Sequence, residues 1–146
     1  MTRSIRVVVV ASMFAALPAA ASWASTRVPT ENWGLQARPY VIDFTGDGSG
    51  YLGGFDGHPF TKAHPAYGRL RWTEYDAGEG RAWGAMWADN CNPDCATGTF
   101  TVYGKVYVHV YRPRNGVFTR MTVSGPAFRP SRTFDARHAY GYWQWI

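Results

Sequence analysis

Helical spacing is what this sequence lacks most plainly. After the first two dozen residues, glycine or proline interrupts nearly every window of eleven, and no long stretch keeps the i, i+3, i+4, i+7 apolar pattern. Helix-built folds are excluded on that ground. Blocks of basic residues are missing too. Arg69, Arg71, Arg112, Arg114 and Arg120 are scattered along apparent strands, a solvated and mildly basic surface rather than a nucleic-acid footprint. Catalytic signatures are also absent: no GxSxG, no HExxH and no phosphate-cradling GxxxxGK occurs. Ser49, His109 and Asp43 make a triad only on paper, because nothing in their spacing supports one. Cysteine is scarce, with two in the whole chain, Cys91 and Cys95.

What is present begins at the N-terminus. "MTRSIRVVVVASMFAALPAAASWAS" runs from Arg3 and Arg6 through an apolar stretch, Val7 to Leu17, into small residues. Basic, then apolar, then small is the order of a secretory signal peptide, with Ser22-Trp23-Ala24 offering a cleavage site. The apolar stretch is shorter than the roughly 20 residues of a membrane span, and Pro18 breaks it. An uncleaved anchor is the alternative. The expectation is a signal peptide over 1–24, a flexible leader over 25–38 and one domain over 39–146. The product would be released outside the cell with no span left. Loss of Arg3 and Arg6 lowers the formal charge from +5 to +3.

The remaining chain alternates with period two. "YVIDF" sets Tyr40, Ile42 and Phe44 on one face; "RLRWTEY" sets Leu70 and Trp72 on one; "RAWGAMWAD" sets Trp83, Ala85 and Trp87 on one. The clearest strand is "TFTVYGKVYVHVY". Phe100, Val102, Val106, Val108 and Val110 fall on one side, and Tyr103, Lys105, Tyr107, His109 and Tyr111 on the other. Gly104 marks a bulge or bend. Asn115-Gly116 is a hairpin turn leading into "VFTRMTV". "AGEG" reads as a turn, "SGPAFRPSRTFDAR" as a loop and "HAYGYWQWI" as a last strand. Some six short strands and no helix predict an all-β domain, a small antiparallel sandwich or barrel.

Zinc, a redox couple and a structural bridge compete for the two cysteines. Zinc wants four ligands, commonly two close pairs. Here there is one pair at CxxxC, and the histidines show no HxxxH spacing. A redox pair belongs at a helix start. A structural Cys91–Cys95 disulfide fits an exported chain best. It would close a ring of about five residues and contribute about 2 kcal/mol, pinning one turn rather than creating the fold.

With those residues in view, "LRWTEY…RAWG…NCNPDCATGTF" resembles a family of small secreted actinobacterial proteins carrying a W…A-x-G…NC-x-P-x-CA-x-G pattern. Trp72, Ala82, Gly84, Cys91, Pro93, Cys95, Ala96 and Gly98 match it, and "GVFTRMTV" resembles its later strand. Tyr75 stands where a second tryptophan is common, and residues 53–68 look like an insertion. The resemblance covers about half of the chain beyond the signal. It implies a secreted all-β domain with a disulfide and says nothing of substrate.

Candidate chemistry is thin. In "DFTGDGSGYLGG", Asp43, Thr45 and Asp47 fall at calcium-loop positions one, three and five, but Gly54 stands where a bidentate Glu belongs. Asp56, His58 and His64 share one loop as metal or acid–base candidates. Aromatics are plentiful at 16% of the chain, which is why a face bearing Tyr103, Tyr107 and Tyr111 beside His109 invites a binding reading, with Trp72 as a further ligand-binding candidate. Cross-strand pairing of those tyrosines on a solvated sheet is the plain alternative. The expectation is a monomeric, non-catalytic binder of a glycan or a protein, needing no cofactor and no metal. A secreted hydrolase with a loop-borne His/Asp site and a purely structural envelope protein are the rivals.

Overall fold

Valine alternation and tight turns organise the sheet. The computed structural model describes residues 25–30, 34–54, 68–94 and 97–146. Among these the chain forms ten strands and no helix: β1 Val28–Pro29, β2 Leu35–Gln36, β3 Ile42–Asp43, β4 Gly50–Leu52, β5 Arg71–Tyr75, β6 Glu79–Asp89, β7 Phe100–Arg114, β8 Val117–Ser124, β9 Arg132–Ala139 and β10 Tyr142–Trp145. Eight make one antiparallel sheet in the order β10-β9-β8-β7-β6-β4-β3, with β5 also on β6. The all-β expectation holds. The strand number rises from about six to ten because β1 and β2 fall in the expected leader, β4 in the glycine-rich stretch and β9 in an expected loop.

"SGPAFRPSRTFDAR" is not all loop. From Arg132 it becomes β9, pairing Thr133 with Thr122 and Asp135 with Arg120. "HAYGYWQWI" is not one strand but the closing half of a hairpin, with Tyr140 and Gly141 both at positive φ (54° and 87°). That is the geometry of a two-residue hairpin turn. Asn115 (φ 50°) and Gly116 (φ 73°) make the same turn between β7 and β8, as expected.

The interior is aliphatic at its centre and aromatic at its seam. Val106, Val108 and Val110 are fully or almost fully buried with Met121, Val123, Phe118, Leu52, Leu70 and Ile42. Pairing puts Gly80, Ala82 and Gly84 opposite Val110, Val108 and Val106. Small residues on β6 thus make room for the valines and for the rings of Trp72 and Tyr75, which pack on the same cluster. The sheet curls until its edges nearly meet. Phe44, next to β3, meets Phe128 and Phe134 edge-on at 5.6 and 5.8 Å. Ring contacts rather than a backbone ladder therefore close the barrel-like sandwich on that side.

Gly104 is the expected bulge, at φ 113°. Met86 pairs with Gly104 but Trp87 pairs with Val102, so Tyr103 is the extra residue. A one-residue insertion reverses the facing of everything beyond it. Phe100 and Val102 therefore leave the face of Val106–Val110, contrary to the alternation read from the sequence. Phe100 joins Tyr51 around buried Ala85 and Trp87 in a small separate cluster. The expected Tyr40–Ile42–Phe44 face also fails at its first member, because Tyr40 is 60% exposed.

Part of the segment expected as a flexible leader packs against the sheet. Val28 is completely buried in the main core. Arg27 bridges Val117 in parallel, donating its N–H to the Gly116 carbonyl at 2.8 Å and accepting from the Phe118 amide at 2.9 Å. Thr26 Oγ1 donates to the Ala77 carbonyl at 2.9 Å, and Trp145 Nε1 donates to the Pro29 carbonyl at 3.2 Å. A stretch that shows no period still contributes an apolar plug, because only one or two of its residues need to be buried. The signal-peptide segment lies outside the described residues.

Candidate functional site

The face opposite the valines is a grid set by register. Across β5, β6, β7 and β8, one row runs Arg71, Trp83, Tyr107, Ser124. The next runs Arg81, His109, Thr122, Thr133 on β6 to β9, and a third runs Glu79, Tyr111, Arg120, Asp135. Alternation along β7 forces this placement: burying Val106, Val108 and Val110 leaves Tyr107, His109 and Tyr111 facing out.

Trp83, Tyr107, His109, Thr122 and Ser124 line a shallow groove of about 490 Å³ in this grid. Tyr107 is 47% exposed. Lys105 Nζ lies 4.6 Å from the Trp83 ring centroid and 5.0 Å from that of Tyr107, and the Arg71 guanidinium lies 5.1 Å from Trp83. Each cation–π contact of this partly exposed kind contributes about 0.5–1 kcal/mol.

Polar groups border the rings. His109 Nε2 is 2.6 Å from Glu79 Oε2, and the His109 ring stacks on Tyr111 at 4.7 Å and 24°. Arg81 ties Glu79 (3.4 Å) to Glu74 (3.2 Å). The hydrogen bond from His109, followed by that from Arg81, holds the Glu79 carboxyl below its ordinary value. The Tyr111 hydroxyl meets Thr122 Oγ1 at 3.2 Å, and Thr122 meets Thr133 at 3.0 Å. The assembly presents ring faces, hydroxyls and cations on one face of the sheet. Among the described residues no nucleophile-bearing side chain is hydrogen-bonded to His109.

Of the residues singled out from sequence, Tyr107, His109 and Tyr111 come together. Tyr103, 55% exposed, sits on the bulge and leaves their row. Trp72 does not belong with them. It faces the core, donates Nε1 to the Pro39 carbonyl at 2.7 Å and meets Tyr75 edge-on at 5.0 Å. Lys105 lies beside them as the alternation places it, and Trp83, Arg81, Glu79 and Arg71, which no site motif marks, complete the grid. Finding Trp83 opposite Tyr107 requires the β6–β7 register, which the long 90–99 connection hides.

The calcium-like loop organises itself. Asp43 Oδ1 accepts from the Thr45 amide, Thr45 Oγ1 and the Gly46 amide, and Oδ2 accepts from the Gly48 amide, at 2.9–3.1 Å. Asp47 Oδ1 accepts from the Ser49 amide and hydroxyl, and the hydroxyl bond lowers the Asp47 pKa. These carboxylates cap their own turn. Among the described residues no group of three or more His, Cys, Asp or Glu side chains converges. Asp56, His58 and His64 lie outside the described residues.

The cysteine turn is held by side chains of the same type. Asp89 Oδ1 accepts from the Cys91 amide at 3.0 Å, Asn90 Oδ1 from the Asn92 and Thr99 amides at 3.1 Å, and Asp94 Oδ1 from Thr97. No described cysteine is free, and Cys95 lies outside the described residues. Compared with protein-family models, curated proteins and solved structures, the chain matches none.

Proposed function

We propose that the chain is exported and acts outside the cell as a non-catalytic binding domain, taking a glycan on the outer face of β6–β8. The observation that carries this reading is the groove in which Trp83 and Tyr107 share one lysine beside the hydroxyls of Thr122 and Ser124. A sugar offers polarised C–H edges to a ring face and hydroxyls to neighbouring donors and acceptors. Lys105 lies near both rings, so a sugar can displace it from one and still leave it the other. The basic–apolar–small order of residues 1–24 supports export. In that compartment Cys91 and Cys95 pair. A comparison of intact mass with and without reduction and alkylation tests the bridge.

Glycan-array screening followed by titration calorimetry tests the binding reading. Trp83→Ala and Tyr107→Ala should each abolish detectable binding while the melting temperature stays near that of the parent. Binding that survives both substitutions, or an array that captures nothing while a protein partner is retained through the same residues, overturns the glycan assignment.

A hydrolase is the second reading, favoured by one contact: His109 meets Glu79 at 2.6 Å on the groove rim, the orientation a carboxylate gives a general base. Turnover of an acyl or glycosyl substrate that disappears in His109→Gln would replace binding with catalysis.

A further inference from the structure

The β8–β9 ladder is short, running only from Arg120–Asp135 to Val123–Arg132. Beyond it β9 pairs with β10 instead, through His138–Trp143 and Arg137–Gln144. The two hairpins diverge there and leave a cleft of about 520 Å³, separate from the groove on the outer face. Arg112 and Arg114 reach it from the end of β7, and Arg137 and His138 from β9. Val117 and Trp143 supply its apolar surface, and the Trp143 ring lies 5.2 Å from that of His138.

Charge in this cleft is unbalanced. Among the described residues none of Arg112, Arg114 and Arg137 forms an ion pair, and the one carboxylate lining the cleft, Asp135, is engaged by Arg120 at 3.1 Å. Arg112 also sits at φ 55°, a left-handed conformation that is uncommon outside glycine and that clusters at functional positions. Its carbonyl accepts from Thr119 Oγ1 at 2.6 Å, which ties the strained residue to the cleft wall.

We propose that this cleft binds a phosphate or sulfate ester carried on a sugar-sized ring. Three guanidinium groups offer more donors than the two oxygens of a carboxylate can use, whereas a tetrahedral ester presents three free oxygens. The volume falls within the range of small-molecule pockets, about 300–1,000 Å³. Trp143 and Val117 give the ring body an apolar wall. A nucleic acid would need a row of cations tracking a backbone, and these arginines are gathered at one cleft.

Titration calorimetry on the full chain with glucose 6-phosphate and glucose 6-sulfate, against glucose and inorganic phosphate, tests the assignment. At least one ester should bind, more tightly than either reference compound, and added sodium chloride should weaken it. Arg114→Gln and Arg137→Gln, both at exposed positions, should each cost about tenfold in affinity with melting curves unchanged. Trp83→Ala, in the other groove, should leave ester binding intact. Preference between the two esters identifies the source of the anion and supports the proposal. It is overturned if glucose or inorganic phosphate binds as tightly as the esters, if natively folded arginine variants retain parental affinity, or if a short oligonucleotide is preferred to both esters.

Discussion

The two faces of β6–β8 are made by the same strands and differ in nearly every chemical respect. Inward, Val106, Val108, Val110, Met121 and Val123 meet small residues and one another, and all are buried. Outward, one residue away in each case, stand Tyr107, His109, Tyr111, Thr122 and Arg81, half-buried or exposed and linked by hydrogen bonds, ion pairs and ring contacts. The inner set is close-packed, so removing volume leaves a void with its full cost. The outer set is bordered by water, which can replace much of what is removed. The comparison teaches that the stabilising face and the face proposed to bind are separated here by the two-residue period of the strand rather than by distance.

The comparison can be broken first where it predicts the largest effect. Phe118 is completely buried and meets Tyr75 edge-on at 5.7 Å. Phe118→Ala should cost about 3–5 kcal/mol in a urea titration, a large share of the roughly 5–15 kcal/mol available to a domain. A loss comparable with that of an exposed-face variant would deny that the inner face dominates. Val28→Ala comes next, at about 2 kcal/mol from two buried methyl carbons and the void they leave. This variant sharpens the account, because it assigns the 25–30 segment to the core. Proteolysis that removes that segment without lowering the melting temperature would return it to the status of a leader. Pairing of Cys91 with Cys95 is proposed to contribute about 2 kcal/mol at most, so Cys91→Ser with Cys95→Ser should leave a folded domain.

How much of this was legible in the sequence depends on whether a local rule decided the outcome. Asn115-Gly116 and the bulge at Gly104 were legible, since both rest on backbone conformations that few residues adopt. The burial of Leu70, Val106, Val108 and Val110 followed from period two alone. The facing of Phe100 and Val102 did not, because a bulge can be foreseen while the residue it inserts cannot. The plug at Val28 carries no periodic signal. In the site, Tyr107, His109 and Tyr111 were legible because they share a strand. Trp83 and Glu79 were not, because cross-strand neighbours depend on register. Trp72 packs on the core rather than beside the tyrosines, because an aromatic residue alone does not say which face it serves.

A smaller effect is expected from the outer face itself. Tyr107→Ala should change stability by less than about 1 kcal/mol, the scale of a cross-strand pair, while removing half of the ring pair that is proposed to bind sugar. A loss as large as that of Phe118→Ala would show the outer face to be structural and would weaken the binding proposal.

The smallest effect is an acid-range pH dependence that, among the described residues, rests on carboxylates of the turns and the outer face. Amides of Glu79 and Gly78 lower the Asp76 carboxyl, the Ser49 hydroxyl lowers Asp47, and His109 followed by Arg81 lowers Glu79. In each case the folded pKa lies below the unfolded one, so the unfolded chain binds protons first as pH falls. The stabilisation is complete above the ordinary carboxylate range, about pH 4, and is lost as pH drops through the depressed folded values. Melting temperature should therefore be level from neutral pH to about pH 5 and decline below about pH 4. Asp76→Asn keeps a side-chain oxygen for the Gly78 and Glu79 amides but cannot titrate, so its decline should be shallower. Phe118→Ala should lower the whole curve without altering its slope. If instead the aspartate variant follows the parent and the phenylalanine variant changes the slope, acid sensitivity belongs to the core, and the division between the two faces does not hold.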